Sequence, residues 1–181
     1  MLTLCLAMVA SMASHAQSIP LEQGVVWSVG SVRTWESFDG ASPGDKPYEK
    51  WKSSTAVSYK SHRYTPDQRV PEGKFVEILV WLDAEGGENA AVDMIPAEGD
   101  TLDAKLMYGE EQSSTAKAFG IPGTGDAENR CFIETWEGNL NFSLESGERT
   151  WILLLFDIPG DISEAKLQLK SSDLFPVTIP E

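Results

Sequence analysis

Acidic side chains are the most abundant groups in this sequence that could hold a metal ion. Asp83, Glu85 and Glu88 follow an apolar run directly, and more carboxylates follow up to residue 103. Calcium prefers hard oxygen ligands of this kind in flexible loops. The spacing does not match an EF-hand loop, so a solvated acidic face is the stronger interpretation. We therefore expect no resident cofactor, and calcium at Asp83, Glu85 and Glu88 is the alternative.

Groups that could act as nucleophile or general base are scarce. His62 with Ser58 or Ser61 could formally build a hydrolase triad, but the chain has no Gly-x-Ser-x-Gly elbow. Cys131 lies next to Phe132 in an apparent strand, which favours a small core residue over a nucleophile. Paired carboxylates for glycoside cleavage can be found in any chain with 28 acidic residues, so they carry no signal. The sequence predicts no catalytic residue.

The chain holds six tryptophans, which is a high number for 181 residues. Exposed aromatic rings on a β-sandwich can stack on sugar rings, and the candidates for ligand binding are Trp27, Trp35, Trp51 and Trp136. Packing in the core is the competing interpretation, since large aromatic side chains are mostly buried. Trp81 and Trp151 lie on two strongly apolar segments, which favours the core for both.

Those two segments organise the predicted fold. Thr150 to Phe156 is apolar on both alternating faces, so it is expected inside a sheet with cover on each side. Lys74 to Asp83 has the same character, with Glu77 as the exception. Pro176 predicts an edge position for the last strand. Eight to ten short strands with turn signals, and no long amphipathic helix between them, predict an all-β, antiparallel β-sandwich.

A two-layer sandwich buries only one face of each strand in its core, so the second apolar face of these two strands needs other cover. The side chains concerned are Phe75, Leu79 and Trp81, together with one full face of Trp151 to Phe156. Soluble proteins rarely expose a contiguous apolar patch of this kind. We therefore predict that residues 25–51, which are rich in tryptophan, pack across the outer face of the sheet as an added layer.

The first sixteen residues and the net charge bear on location. Residues 1–13 are apolar and uncharged, and Ser14-His15-Ala16 fits a signal-peptide cleavage site, so we expect an exported protein, periplasmic or extracellular. After cleavage only His62 and Cys131 remain, too few for a zinc site of His and Cys ligands. The net charge of −14 disfavours nucleic acid, and no segment is long enough for membrane insertion.

Two stretches resemble a known family. The runs RYTPDQRVPEGKFVEILVWLDAEG and ESGERTWILLLFDIPGDISEAKLQL are similar to the two halves of immunoglobulin-like domains of unknown function in bacterial secreted proteins and lipoproteins. The resemblance covers about residues 55–180, implies an immunoglobulin-like sandwich outside the cytoplasm, and supplies no catalytic residue. It divides the chain into a signal peptide (1–16), an N-terminal extension of one strand and a loop (17–54) and the sandwich domain (55–181).

These observations together predict an exported, non-enzymatic binding or interaction module with an unknown protein or glycan partner. A carbohydrate-binding module is one alternative. A hydrolase that uses carboxylates in the acidic loops is the other.

Overall fold

A computed structural model describes residues 17–22, 24–36, 38–39, 57–58, 68–85, 87, 89–94, 102–121 and 140–181. All regular structure in these ranges is β-strand. The strands are β1 (Ile19–Glu22), β2 (Val25–Trp35), β3 (Phe38–Asp39), β4 (Val57–Ser58), β5 (Gln68–Arg69), β6 (Lys74–Ala84), β7 (Ala90–Asp93), β8 (Ala104–Tyr108), β9 (Gln112–Thr115), β10 (Ala118–Gly120), β11 (Asn141–Leu144), β12 (Arg149–Ile158), β13 (Glu164–Leu169) and β14 (Phe175–Thr178). No helix in the described ranges is long and apolar enough to span a membrane.

The first layer is a five-stranded antiparallel sheet with the order β1-β2-β6-β12-β10. Strands β6 and β12 are the two segments predicted from their double apolarity, and they pair from Lys74–Ile158 to Asp83–Arg149. Both lie inside the sheet, because β2 and β10 flank them. Their predicted interior position is confirmed.

The second layer consists of two smaller sheets, with the orders β14-β13-β8-β9 and β4-β11-β7. Side chains from both layers meet in one core that includes Trp27, Phe156, Phe142 and Leu106, each with 0% of its surface exposed. Two antiparallel layers around a shared apolar core make a β-sandwich. The all-β, antiparallel sandwich is therefore confirmed, and Pro176 lies in the edge strand β14 as predicted.

Polar contacts from the end of β13 reach both layers. The Lys170 ammonium donates to Glu22 Oε1 over 2.9 Å and to the Asp93 carbonyl over 2.6 Å. The Trp27 indole Nε1 donates to Ser172 Oγ over 3.2 Å, so the buried ring has a partner for its one polar atom. Lys170 itself has a φ of 51°, which turns the chain sharply after β13.

The N-terminal segment corrects one prediction. Residues 25–35 do not lie across the outer face of the sheet as an added layer, because they form β2 and pair edge-on with β6 from Val25 to Trp35. Trp27 and Val25 also enter the shared core. Strands β1 and β2 of the predicted N-terminal extension (17–54) are thus part of the sandwich. Residues 40–51 lie outside the described ranges.

Candidate functional site

The side of the five-stranded sheet that faces away from the shared core is here called the outer face. Residues that pair directly across antiparallel strands share a face, so the register fixes its composition. In β6 the outer residues alternate from Phe75 through Glu77, Leu79 and Trp81 to Asp83. Their partners in β12 are Asp157, Leu155, Leu153, Trp151 and Arg149, and their partners in β2 include Trp35, Arg33, Ser31 and Ser28.

The outer face has a buried zone and a partly exposed zone. Leu155 is 0% exposed, Glu77 1%, Phe75 5% and Leu153 7%, so these residues form a second apolar cluster around one carboxylate. Towards the other end of the same strands, Trp81 and Trp151 are only half-buried. The Arg149 side chain beyond them is 57% exposed. This second zone is the part of the face that a ligand can reach.

The Trp81 ring packs in the space that Gly30 leaves by having no side chain. The register between β2 and β6 shifts at Gly30, which forms a bulge opposite the ring. A Cβ at Gly30 would lie 2.5 Å from Trp81 Nε1 and 2.9 Å from Trp81 Cδ1. The indole therefore occupies the space that a side chain at position 30 would need.

Arg149 covers the same ring. Its guanidinium carbon lies 5.3 Å from the centre of the Trp81 ring, within the range of a cation–π contact. The guanidinium also binds the Asp83 carboxylate through Nε and Nη2, the latter over 3.2 Å. The hydrogen bond and the charge of Asp83 raise the pKa of Arg149 above its ordinary value, against a small opposing effect of burial. We call Trp81, Trp151 and Arg149 the Trp–Arg cluster.

The cluster has the composition of a binding surface. Trp and Arg are the residues that most often contribute large parts of the binding energy at protein interfaces. Here Trp81 and Trp151 are direct cross-strand neighbours, and Arg149 is the first residue of β12, two residues before Trp151 on the same face. The two carboxylates nearby are not placed for hydrolysis, because Asp83 is bound to Arg149 and Glu77 is 1% exposed.

The tryptophans predicted as ligand contacts take different places. Trp27 is 0% exposed, packs 5.5 Å from the Phe175 ring and belongs to the core, so this prediction is wrong for Trp27. Trp35 is 39% exposed on the outer face, opposite Phe75. Trp51 and Trp136 lie outside the described ranges.

The predicted acidic site is not assembled among the described residues. Asp83 forms an ion pair with Arg149. Glu85 is exposed in the turn after β6, where its backbone N–H donates to the Gly24 carbonyl. Glu88 lies outside the described ranges. Within those ranges no three His, Cys, Asp or Glu side chains come close enough to hold a metal ion. His62, Ser61 and Cys131 also lie outside, and Ser58 is in β4.

The sequence analysis favoured the core for Trp81 and Trp151, although it also counted Trp81 with Phe75 and Leu79 among the side chains left on the outer side of the sheet. The structure places both tryptophans on the outer face. The signal was present in the alternation of each strand. Trp81 shares its face with Glu77 and Asp83, and Trp151 shares its face with Arg149 and Asp157. A face that carries charged residues is the natural candidate for the solvent side.

Comparison with known proteins gives a narrow result. No family model matches the chain, and no curated protein matches it. Among solved structures, the chain is similar to an uncharacterized β-sandwich protein from Clostridium difficile, with a TM-score of 0.44 and 9% identity over 90% of this chain and 91% of that chain.

Proposed function

We propose that this protein is an exported, non-enzymatic binding module, and that its Trp–Arg cluster contacts a partner protein. The observation that carries the proposal is the stacking of Arg149 over Trp81, directly beside Trp151, on the partly exposed zone of the outer face. Export rests on the apolar run and cleavage motif in residues 1–16. The immunoglobulin-like relationship over residues 55–180 belongs to the same proposal and is supported by the antiparallel sandwich.

The cluster is organised in advance, which favours binding. Ordering a flexible side chain at an interface costs about 0.5–1.5 kcal/mol. Trp81 packs closely against the backbone at Gly30, and Arg149 contacts both the Trp81 ring and the Asp83 carboxylate. Less conformational entropy is therefore lost when a partner docks. The Arg149 side chain is still 57% exposed, so the remaining N–H groups of its guanidinium can donate to a partner's carbonyl or carboxylate oxygens.

Site-specific photo-cross-linking tests this proposal. A benzoylphenylalanine at position 151 keeps a large aromatic group on the outer face and reacts with whatever lies against it in the producing cell. We expect a discrete cross-linked product that weakens strongly in the Arg149→Ala background. The control position is Lys166, which is exposed on β13 of the four-stranded sheet. An equal product from position 166, or a product that does not depend on Arg149, contradicts the proposal.

A glycan is the second candidate ligand, because Trp151 is half-buried beside a charged pair that could bond sugar hydroxyls. Titration with soluble oligosaccharides of cellulose, xylan, starch and peptidoglycan, followed by tryptophan fluorescence, tests it. A saturable change that is lost in Trp151→Ala and kept in Trp35→Ala indicates a glycan. No change with any of these probes, together with a cross-linked protein from position 151, favours the protein partner.

A further inference from the structure

The two sides of the sandwich end in strands of different character. One side ends in β1 and β14, which carry Pro20 and Pro176. The other side ends in β9 of the four-stranded sheet and β10 of the five-stranded sheet. Proline and charged residues protect edge strands against pairing with another chain. The sequence of β9, Gln112-Ser113-Ser114-Thr115, contains neither.

The register shows which backbone groups of β9 face away from β8. The Ala116 N–H donates to the Ala104 carbonyl, one step beyond the Lys105–Thr115 pair of the β8–β9 register. Hydrogen-bonded pairs alternate along an antiparallel ladder, so Ser114 pairs with Leu106 in the same way. The N–H and C=O groups of Ser113 and Thr115 therefore point outward. Among the described residues, the hydrogen bond shown to these groups is that of the Ser114 hydroxyl, which donates to the Thr115 carbonyl.

An open groove of about 700 Å³ lies along this edge. β9 forms one wall, and the end of β12 with Pro159 and Gly160 forms the other. The second wall is rigid, because the Asp157 carboxylate accepts hydrogen bonds from the backbone N–H groups of Glu72 and Gly73. A Cβ at Gly73 would lie 2.0 Å from the Ile158 carbonyl oxygen, so this close approach requires glycine.

We propose that β9 binds an extended, net-basic segment of a partner protein, which adds a strand to the four-stranded sheet. Extended peptides bind exposed sheet edges through backbone hydrogen bonds, with the side chains giving specificity. The charged residues on the groove are Glu72, Asp157 and Lys117, on a chain whose net charge is −14. Both the local and the overall charge favour a basic segment. This surface is separate from the Trp–Arg cluster, and the two proposals can fail independently.

The test uses an acetylated and amidated synthetic peptide of alternating character, Thr-Lys-Val-Thr-Val-Lys-Thr, with the mature chain. Backbone amide hydrogen exchange is followed at Ser113 and Thr115. We expect the peptide to slow exchange at both amides by about tenfold, and a version with glutamate in place of lysine to bind more weakly. No slowing at millimolar peptide overturns the proposal.

Two controls separate strand addition from other binding. A peptide that is N-methylated at every residue carries methyl groups along both edges and cannot form the ladder, so it must leave the Ser113 and Thr115 amides unprotected. Ser113→Pro removes an outward N–H that the β8–β9 ladder does not use, so it should abolish binding, while Ser113→Ala should keep it. Equal protection by the methylated peptide overturns the proposal even if the proline variant does not fold.

Discussion

The two faces of the β6–β12 strand pair differ in what they bury. Towards the shared core, Ile78, Leu82, Ile152 and Leu154 are each 0% exposed, and Thr150 is the only polar residue that β12 contributes to that face. On the outer face, the same strands place a buried Glu77 among leucines and end in two half-buried tryptophans and a charged pair. The inner face is specialised for stability alone. The outer face combines a stabilising zone with a surface that is available to a ligand.

The sharpest test of this difference is a pair of neighbouring leucines. Leu154 faces the large shared core, and Leu155 faces the smaller outer cluster. Both are fully buried, and Leu→Ala changes at such sites cost about 2–5 kcal/mol. We expect Leu154→Ala near the top of that range and Leu155→Ala near the bottom, because the smaller cluster can collapse more easily. Urea denaturation measures both, and a larger loss for Leu155→Ala would reverse our ranking of the faces.

A change at the bulge tests how firmly the outer face holds its tryptophan. Gly30→Ala places a methyl group 2.5 Å from Trp81 Nε1, so the ring must move. We expect a loss of about 1–3 kcal/mol in the free energy of unfolding. We also expect a shift in tryptophan emission that Trp81→Phe abolishes. If Gly30→Ala unfolds with the wild-type midpoint and emission, Trp81 is not held by this contact.

Removing the exposed ring should separate binding from stability. Trp151→Ala removes a half-buried side chain, so it should lower the free energy of unfolding by about 1–2 kcal/mol. This loss is below that expected for Leu154→Ala, three residues further along β12. The effect of Trp151→Ala on the proposed partner should be the larger one, because the ring lies in the exposed zone. A variant with a normal melting temperature that still forms the partner complex with full affinity would exclude Trp151 from the binding surface.

The smallest expected effect concerns the ion pair of the outer face. Arg149→Lys keeps the charge and loses the two-pronged contact with Asp83, and exposed pairs contribute only about 0.2–1 kcal/mol. The folded-state pKa of Arg149 is raised, so its contribution is complete below the unfolded-state pKa and is lost only as the pH rises through the folded-state pKa. The difference from wild type should therefore stay constant between about pH 6 and 9.

Salt provides the control for that experiment. Exposed charges are screened over about 10 Å at 0.1 M salt and about 3 Å at 1 M. We expect the difference between Arg149→Lys and wild type to shrink as salt is added. A difference that stays unchanged as salt is added would mean that the contact with the Trp81 ring dominates over the pair with Asp83.

Alternation within a strand was enough to predict β6, β12 and the edge position of Pro176. It does not decide which of two apolar faces meets the core, because that depends on the strands and sheets packed on each side. Trp27 shows the limit most clearly. Its alternation with Val25 and Val29 marks a face, but only the distant Phe175 and Ser172 make that face the interior. The same limit hid the Trp–Arg cluster, since Arg149 and Trp81 are far apart in the chain.

The contact between Gly30 and the Trp81 ring also has an evolutionary consequence. The two positions share one volume, so a larger residue at position 30 is acceptable only if position 81 becomes smaller at the same time. A larger residue at position 30 is strained while the Trp81 ring is present. If Trp81 is first replaced by a smaller residue, the substitution at position 30 can follow without this strain. Related sequences should therefore vary at 30 and 81 together, and a chain that keeps glycine at 30 should also keep an aromatic side chain to cover it.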